Sequence, residues 1–380
     1  MPVPPGLSPE HHAVLDLVRD IARREVAPNA ERWEQNAEFP RAAFEALGKA
    51  GLLGLVYPED YGGGGQPHWL YLLVLEELAA ALLSVGLGAS VQTLTIFPAH
   101  AYGTLAQKAR WMPPACSGEW IGAYCLSEPG SGSDASALVT KAERDNGSWV
   151  ISGRKAFVTH GGEADYYMVL ARTGEAGARG VSCFYVPADT TGVKREKLEH
   201  KMGMRSSPTA AMIFDEARVS DEHLVGEPGV GFRIAMQALD GGRLGVAACS
   251  VGLARAALEA GVAFARERNA FGKRVIEFQG VSFMLADMAT QIDAARALTQ
   301  EAAKRRDEGL PFSTQAAMAK LFASDTAMRV TTDAVQVHGG YGYIQDFPVE
   351  RYMREAKVLQ IVEGTNQVQR LVISRALTRS

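Results

Sequence analysis

Near the C-terminus the run IVEGTNQ, residues 361–367, sets a lone carboxylate, Glu363, behind two β-branched apolar residues and ahead of Gly364. Burial penalises the charged form of a carboxyl group and so strengthens it as a base, while a neighbouring glycine lets a ligand approach the backbone. The pattern suits a base that takes a proton from carbon. Taken alone, the same residues read more readily as a helix end followed by a new N-cap.

Two further stretches carry groups that could hold a flat polar ring. AYCLSEPGSGSD, residues 123–134, joins a strand to a glycine-containing loop rich in hydroxyls and backbone N–H groups, suited to a ring edge or a phosphate. In SGRKAFVTHGG, residues 152–162, Phe157 and Thr159 stand two apart near a strand end. Side chains at that spacing share a face, so one ring can be stacked and hydrogen-bonded at once. His160 reads as a hydrogen-bonded structural histidine, and no HExxH, CxxC pair or acidic cluster occurs, so no metal is expected. Cys116, Cys125, Cys183 and Cys249 are far apart in apolar surroundings and read as reduced core residues.

These groups need a scaffold, and 380 residues suffice for two or three units. Ser8 before Pro9 reads as an N-cap, a second helix starts at Pro40 and stops before Gly51, and a buried helix runs from Trp69 to about Leu83. Helix continues to about Ser117, with Pro113 and Pro114 as breakers. From about Glu119 short runs of strand character follow, and Asn146-Gly147 marks a type I′ hairpin. Beyond Pro228 helical patterns return, one from about Gly242 to Asn269 and another from Gln279 with Val281, Leu285, Met288, Ile292, Ala295, Leu298 and Ala302 along its seam. The expected fold is α+β and mostly α: an N-terminal helical domain over residues 1–118, a middle antiparallel β-barrel or sandwich over 119–228, and a C-terminal helical bundle over 229–380. A net charge of -4 gives no field for a nucleic acid backbone. The opening MPVPPGLSPEHH has no basic and apolar leader pattern, and no uninterrupted apolar run reaches a membrane span, so a cytoplasmic protein is expected.

Together with KMGMRSSPT (residues 201–209), DGGRLG (240–245), RERNAFGK (266–273) followed by Gln279, and QVHGGYG (336–342), these stretches make seven blocks in register. In that order they resemble the acyl-CoA dehydrogenase family over essentially the whole chain. The resemblance implies a four-helix bundle at the C-terminus, FAD as cofactor, a homotetramer, an acyl-CoA substrate and an electron-transferring flavoprotein as electron acceptor. It places Tyr124, Leu126, Ser127, Ser133, Phe157, Val158 and Thr159 around the flavin, with Phe157 where the family usually has tryptophan. Arg268, Phe271 and Gln279 match residues that hold the pyrophosphate and adenine side of a flavin bound by a neighbouring subunit, and Gln336, Gly339 and Gly340 fall in the same contact. Thr365 and Gln367 match further FAD contacts. On the substrate side the matching positions are Ser133, Asp240, Arg243 and Gly364, although the two glycines of DGGRLG depart from common family versions.

The implied reaction is α,β-dehydrogenation of the thioester to a trans-2-enoyl-CoA. Glu363 would take the α proton while the β hydrogen leaves as hydride to flavin N5. Residues 93–97 and Val362 are the candidates for closing the acyl pocket. Two alternatives stay open: a desaturase or oxidase of the same fold acting on a carrier-bound acyl or aminoacyl group, and a flavin-free helical scaffold.

Overall fold

The computed structural model describes residues 7–379. The first six residues of the opening stretch read above for a leader lie outside the described residues. Six helices come first: α1 (Pro9–Ile21), α2 (Ala30–Asn36), α3 (Arg41–Lys49), α4 (His68–Ala81), α5 (Leu83–Tyr102) and α6 (Leu105–Cys116). The Ser8 hydroxyl accepts from the His11 N–H at 3.2 Å, which makes it the N-cap expected of it. Pro113 and Pro114 do not break α6; they lie within it, and it ends two residues later. Each removes a helical N–H, so the helix survives only because little of it remains.

Eight strands follow: β1 (Gly122–Cys125), β2 (Lys141–Asp145), β3 (Ser148–Thr159), β4 (Tyr166–Arg172), β5 (Val181–Pro187), β6 (Val193–Leu198), β7 (Thr209–Ser220) and β8 (Leu224–Val225). They make one sheet in the order β6-β7-β3-β2-β4-β5-β8, with β1 added beside β4. Most pairs are antiparallel, but β1 runs parallel to β4, which the run-by-run sequence pattern does not reveal. The hairpin between β2 and β3 turns on Asn146 (φ 51°) and Gly147 (φ 79°), the positive pair that a type I′ turn demands.

The last third holds α7 (Gly231–Glu267), a two-stranded ribbon of β9 (Asn269–Ala270) and β10 (Lys273–Arg274), then α8 (Gln279–Asp307), α9 (Ser313–His338), α10 (Val349–Leu359) and α11 (Asn366–Arg379). Helix α7 is the hub, packing on α4, α5, α8, α9 and α10. It begins eleven residues before the expected Gly242, so the double glycine is internal to it. By length and apolarity α7 could cross a membrane, but 72% of that window is buried inside the fold, as in a core helix. On α8 the seam holds at Leu285, Met288, Ile292, Ala295 and Ala302, whereas Leu298 is exposed. All four cysteines are free and buried.

Candidate active site

Glu363 sits in the loop between α10 and α11. Its backbone is left-handed (φ 53°), as is that of Gly364 (φ 89°). For a residue with a Cβ this costs on the order of 1 kcal/mol and persists only where the surroundings enforce it. The enforcing groups are Lys320 and Gln369. Lys320 Nζ donates to the Gly364 carbonyl at 3.0 Å and to Asn366 Oδ1 at 2.8 Å. Gln369 Nε2 donates to the carbonyls of Glu363 at 3.3 Å and Gly364 at 2.8 Å. The Glu363 N–H itself has no partner among the described residues.

This backbone turns the carboxylate onto the middle of α7. A Cβ added at Gly242 would lie 1.8 Å from Glu363 Oε2 and 2.9 Å from Leu94 Cδ1, so the missing side chain is the slot that the carboxylate fills. Glu363 Oε2 is shielded from solvent and accepts no hydrogen bond. Burial pushes the Glu363 pKa up to about 7, against the opposing pull of the Lys320 and Arg243 charges. The dryness comes from this slot more than from Val362, which is only partly buried. Lys320, wholly buried on the alanine-lined face of α9, is a site residue that sequence reasoning passed over. Its signal was a single cation among Ala316, Ala317, Ala319 and Ala323.

Asp240 and Arg243 lie on the same stretch of α7. Arg243 Nη1 donates to Asp240 Oδ1 at 2.5 Å, and Ser313 Oγ donates to Asp240 Oδ2 at 2.5 Å. With both oxygens engaged, Asp240 is a poor rival to Glu363 as base.

Around the sheet, Phe157 is 69% exposed and left-handed (φ 55°), at an irregularity in the pairing of β3 with β7 between Lys155 and Val158. The bulge throws the ring outward while Lys155 and Ala156 both stay buried. Thr159 is half-buried beside it, and its hydroxyl makes no hydrogen bond to the described residues. Ser133 is exposed, and the open space at Gly130 and Gly132 leaves that loop accessible. Leu126 and Val158 are packed in the core, which leaves Val158 only its backbone to offer a ligand. Tyr124 reaches the Ala235 carbonyl of α7 at 3.4 Å, and Ser127 is held by its carbonyl, which accepts from Ala156 N at 2.8 Å. His160 is structural: its Nδ1 meets the Gly122 carbonyl at 3.0 Å and its ring packs on Phe39 and Phe44.

A separate group gathers at the far end of α7. Arg268 lies over the Tyr341 ring at 5.4 Å, next to Gly339 and Gly340, and holds no carboxylate among the described residues. Phe271 is 95% exposed at the tip of the β9–β10 ribbon, and Gln279 and Gln336 are exposed nearby at the start of α8 and the end of α9. From Gly242 to Arg268 the helix rises roughly 39 Å. One chain therefore does not bring the Arg268 group and the Glu363 group to one small ligand. Thr365 Oγ1 accepts from Val368 N at 3.3 Å at the head of α11, with Gln367 exposed beside it.

Comparison with known proteins bears on this arrangement. Residues 8–119 match the acyl-CoA dehydrogenase N-terminal domain, 123–217 its middle domain and 229–378 its C-terminal domain. The chain belongs to the acyl-CoA dehydrogenase family. It is 46% identical to an acyl-CoA dehydrogenase of Bacillus subtilis (strain 168), over 95% of this chain and 96% of the relative. Butyryl-CoA dehydrogenase from Megasphaera elsdenii is 40% identical, with a TM-score of 0.97 over 99% of this chain and 100% of that one. A structure described as electron transferring flavoprotein of Acidaminococcus fermentans is 44% identical, with a TM-score of 0.97 over 100% of both chains. As an acyl-CoA dehydrogenase the chain is an FAD-dependent oxidoreductase. Its residues fit that cofactor: an outward aromatic ring beside an uncommitted hydroxyl suits a flavin, and an arginine without a carboxylate suits a pyrophosphate.

Proposed function

We propose that this acyl-CoA dehydrogenase converts an acyl-CoA thioester to the trans-2-enoyl-CoA, with Glu363 as the base that removes the α proton. The carrying observation is Glu363 Oε2, shielded from solvent and without a hydrogen-bond donor, on a carboxyl group whose pKa burial raises to about 7. Such a group is a better proton acceptor than a solvated carboxylate and still largely ionised just above neutrality. The free Glu363 N–H points to the thioester carbonyl as its partner, where it would stabilise the enolate-like charge that builds as the proton leaves. Gly364, without a side chain, leaves room for that carbonyl. FAD, when bound, supplies the acceptor for the β hydride at flavin N5.

Phe157, Thr159, Tyr124, Ser127, Ser133, Thr365 and Gln367 are the groups proposed to hold the flavin end, with Leu126 and Val158 behind them. Arg268, Phe271, Gln279, Gln336, Gly339 and Gly340 are proposed to hold the pyrophosphate and adenine end of a cofactor bound by another copy, a reading supported by the length of α7 that separates the two groups. The working enzyme is then a homo-oligomer, a tetramer in this proposal, and electrons leave to an electron-transferring flavoprotein. Asp240 and Arg243 are assigned to the substrate path, Arg243 also restraining the Glu363 pKa.

The test is Glu363→Gln. The variant should fold and retain FAD, because the amide fills the same slot, while anaerobic bleaching of the flavin by acyl-CoA slows about 1,000-fold, within the roughly 100- to 10,000-fold range that loss of a general base gives. Bleaching at the normal rate would remove Glu363 from the mechanism.

A further inference from the structure

The two stretches assigned to the flavin each carry an ion that the assignment leaves unused, Glu128 in AYCLSEPGSGSD and Lys155 in SGRKAFVTHGG. The fold buries both: the Lys155 side chain is fully enclosed, that of Glu128 is 3% exposed, and Lys155 Nζ lies 2.7 Å from Glu128 Oε1. Lys155 Nζ also donates to the Leu126 carbonyl at 3.2 Å. Glu128 accepts two backbone donors besides, Val139 N at 2.7 Å and Thr140 N at 2.9 Å. Burial would raise the Glu128 pKa, but the Lys155 charge and these donors outweigh it and hold the carboxyl below its ordinary range.

Each partner anchors a different piece of chain. Glu128 closes the neck of residues 126–140, which join β1 to β2. Arg172 of β4 tightens the same neck by donating through Nη2 to the Ser136 carbonyl at 2.9 Å and the Leu138 carbonyl at 2.8 Å. Inside it, Glu128 and Ser131 exchange backbone bonds of 2.9 and 3.0 Å, and Ser131 Oγ donates to the Asp134 carbonyl at 2.7 Å. A fixed base therefore carries an open tip, where Gly130, Gly132 and Ser133 are exposed.

Lys155 anchors β3. From Lys155 to Val158 this strand takes three steps while β7 takes two, from Met212 to Ala210. The extra residue lets the consecutive Lys155 and Ala156 both stay buried, against the usual alternation of a strand. These two residues make the cross-links to the loop: Lys155 through its side chain to Leu126 and Glu128, and Ala156 through its N–H to the Ser127 carbonyl at 2.8 Å. Phe157 follows at φ 55° with its ring outward. The bulge that presents Phe157 is thus the bulge that admits Lys155.

Stability alone does not call for such a pair. Replacing a buried ion pair by neutral side chains of similar volume often costs a fold nothing, whereas directed bonds between ions select one arrangement over its neighbours. The arrangement selected here is that of Phe157 and Thr159 against Leu126, Ser127 and Ser133. We propose that Lys155 and Glu128 are positioning residues of the flavin site, a buried strut that holds the β3 bulge and the glycine-containing loop at the spacing the flavin needs. The proposal rests on the reading of Phe157 and its companions as flavin groups. Both ions act through the groups they hold.

The experiment compares the FAD-loaded wild type with Glu128→Asp, Glu128→Gln/Lys155→Met and Phe157→Ala. It reads the visible circular dichroism of the bound flavin, the thermal melt, and the limiting rate of anaerobic flavin reduction by saturating butyryl-CoA. Glu128→Asp keeps both charges and shortens the strut by one bond, about 1.5 Å. It should melt like the wild type, change the flavin dichroism and reduce its flavin about 100-fold more slowly, the effect of a displacement of about 1 Å at reacting groups. The double variant removes both charges at nearly the same volume, so it should also melt close to the wild type and show the same two changes. Unaltered dichroism and rate in Glu128→Asp would overturn the proposal. So would a double variant with a lowered melt but normal dichroism and rate, the mark of a pair that only supports the fold. If the double variant does not fold, Glu128→Asp decides. Phe157→Ala separates this proposal from the reading beneath it: unaltered dichroism there would withdraw the flavin assignment itself, whereas altered dichroism there beside an unaltered Glu128→Asp refutes the strut alone.

Discussion

Gly242→Ala is the sharpest test of the slot that holds the base. The new methyl would start 1.8 Å from Glu363 Oε2 and 2.8 Å from its Cδ. Ordinary contact needs about 3.4 Å or more, so the carboxylate must retreat by at least about 1.5 Å. The atoms in the way belong to the tip of a flexible side chain and to Leu94, so the helix can keep its course. In a helix interior alanine is favoured over glycine by roughly 0.5–1 kcal/mol, which offsets part of the crowding. A displacement of about 1 Å at a reacting group can slow a reaction about 100-fold, equivalent to about 2.7 kcal/mol of barrier. The variant should therefore fold, retain yellow FAD and bleach at least about 100-fold more slowly with acyl-CoA in anaerobic stopped flow. Reduction at a rate close to that of the wild type, in a protein with normal flavin content, would show that the carboxylate does not need this slot for chemistry.

Other perturbations read different parts of the site. Lys320→Met removes a charge that lowers the Glu363 pKa, so the rising limb of the flavin-reduction rate against pH should move up by about one unit; a shift downward would contradict the assignment. Because the folded-state pKa of Glu363 is raised to about 7, its contribution to stability is fully present below the unfolded carboxylate pKa and is lost as pH rises through 7. Glu363→Gln should consequently gain up to about 3 kcal/mol over the wild type in denaturant unfolding at pH 8.5 or so, and nothing comparable near pH 4. Arg268→Ala removes an exposed side chain that rests on Tyr341, so it should melt normally yet lose FAD on gel filtration, and dilution of the wild type into monomers should release FAD in the same way.

The architecture was legible in the sequence because its signals are local. Ser8 and Pro9 announce a helix start by hydrogen-bonding and ring geometry alone, and Asn146-Gly147 announces a hairpin because few other pairs tolerate two positive φ angles. The candidate site was legible for a different reason, the order and spacing of seven short blocks. What stayed hidden depends on contacts between distant segments. The parallel pairing of β1 with β4 leaves no mark in the alternation of either strand. Phe157 faces outward because a bulge resets the alternation of β3, an effect of its register with β7 that its own sequence does not state. Leu298 fits the α8 seam by period, yet it stands exposed among the described residues.

The double glycine shows best where sequence reasoning reaches its limit. Glycine is a poor helix former, so Gly241-Gly242 reads as a helix boundary and as a departure from related sequences. In the fold it is neither, since α7 runs through it from Gly231 to Glu267. Two residues of poor propensity persist mid-helix when neighbours occupy the space of their side chains, and here the neighbours are the base at one position and Arg306 at the other. Gly242 is thus explained by the proposed chemistry. Gly241 is explained by packing alone: a Cβ there would lie 2.4 Å from Arg306 Nη1, so the glycine gives the guanidinium its place against the helix.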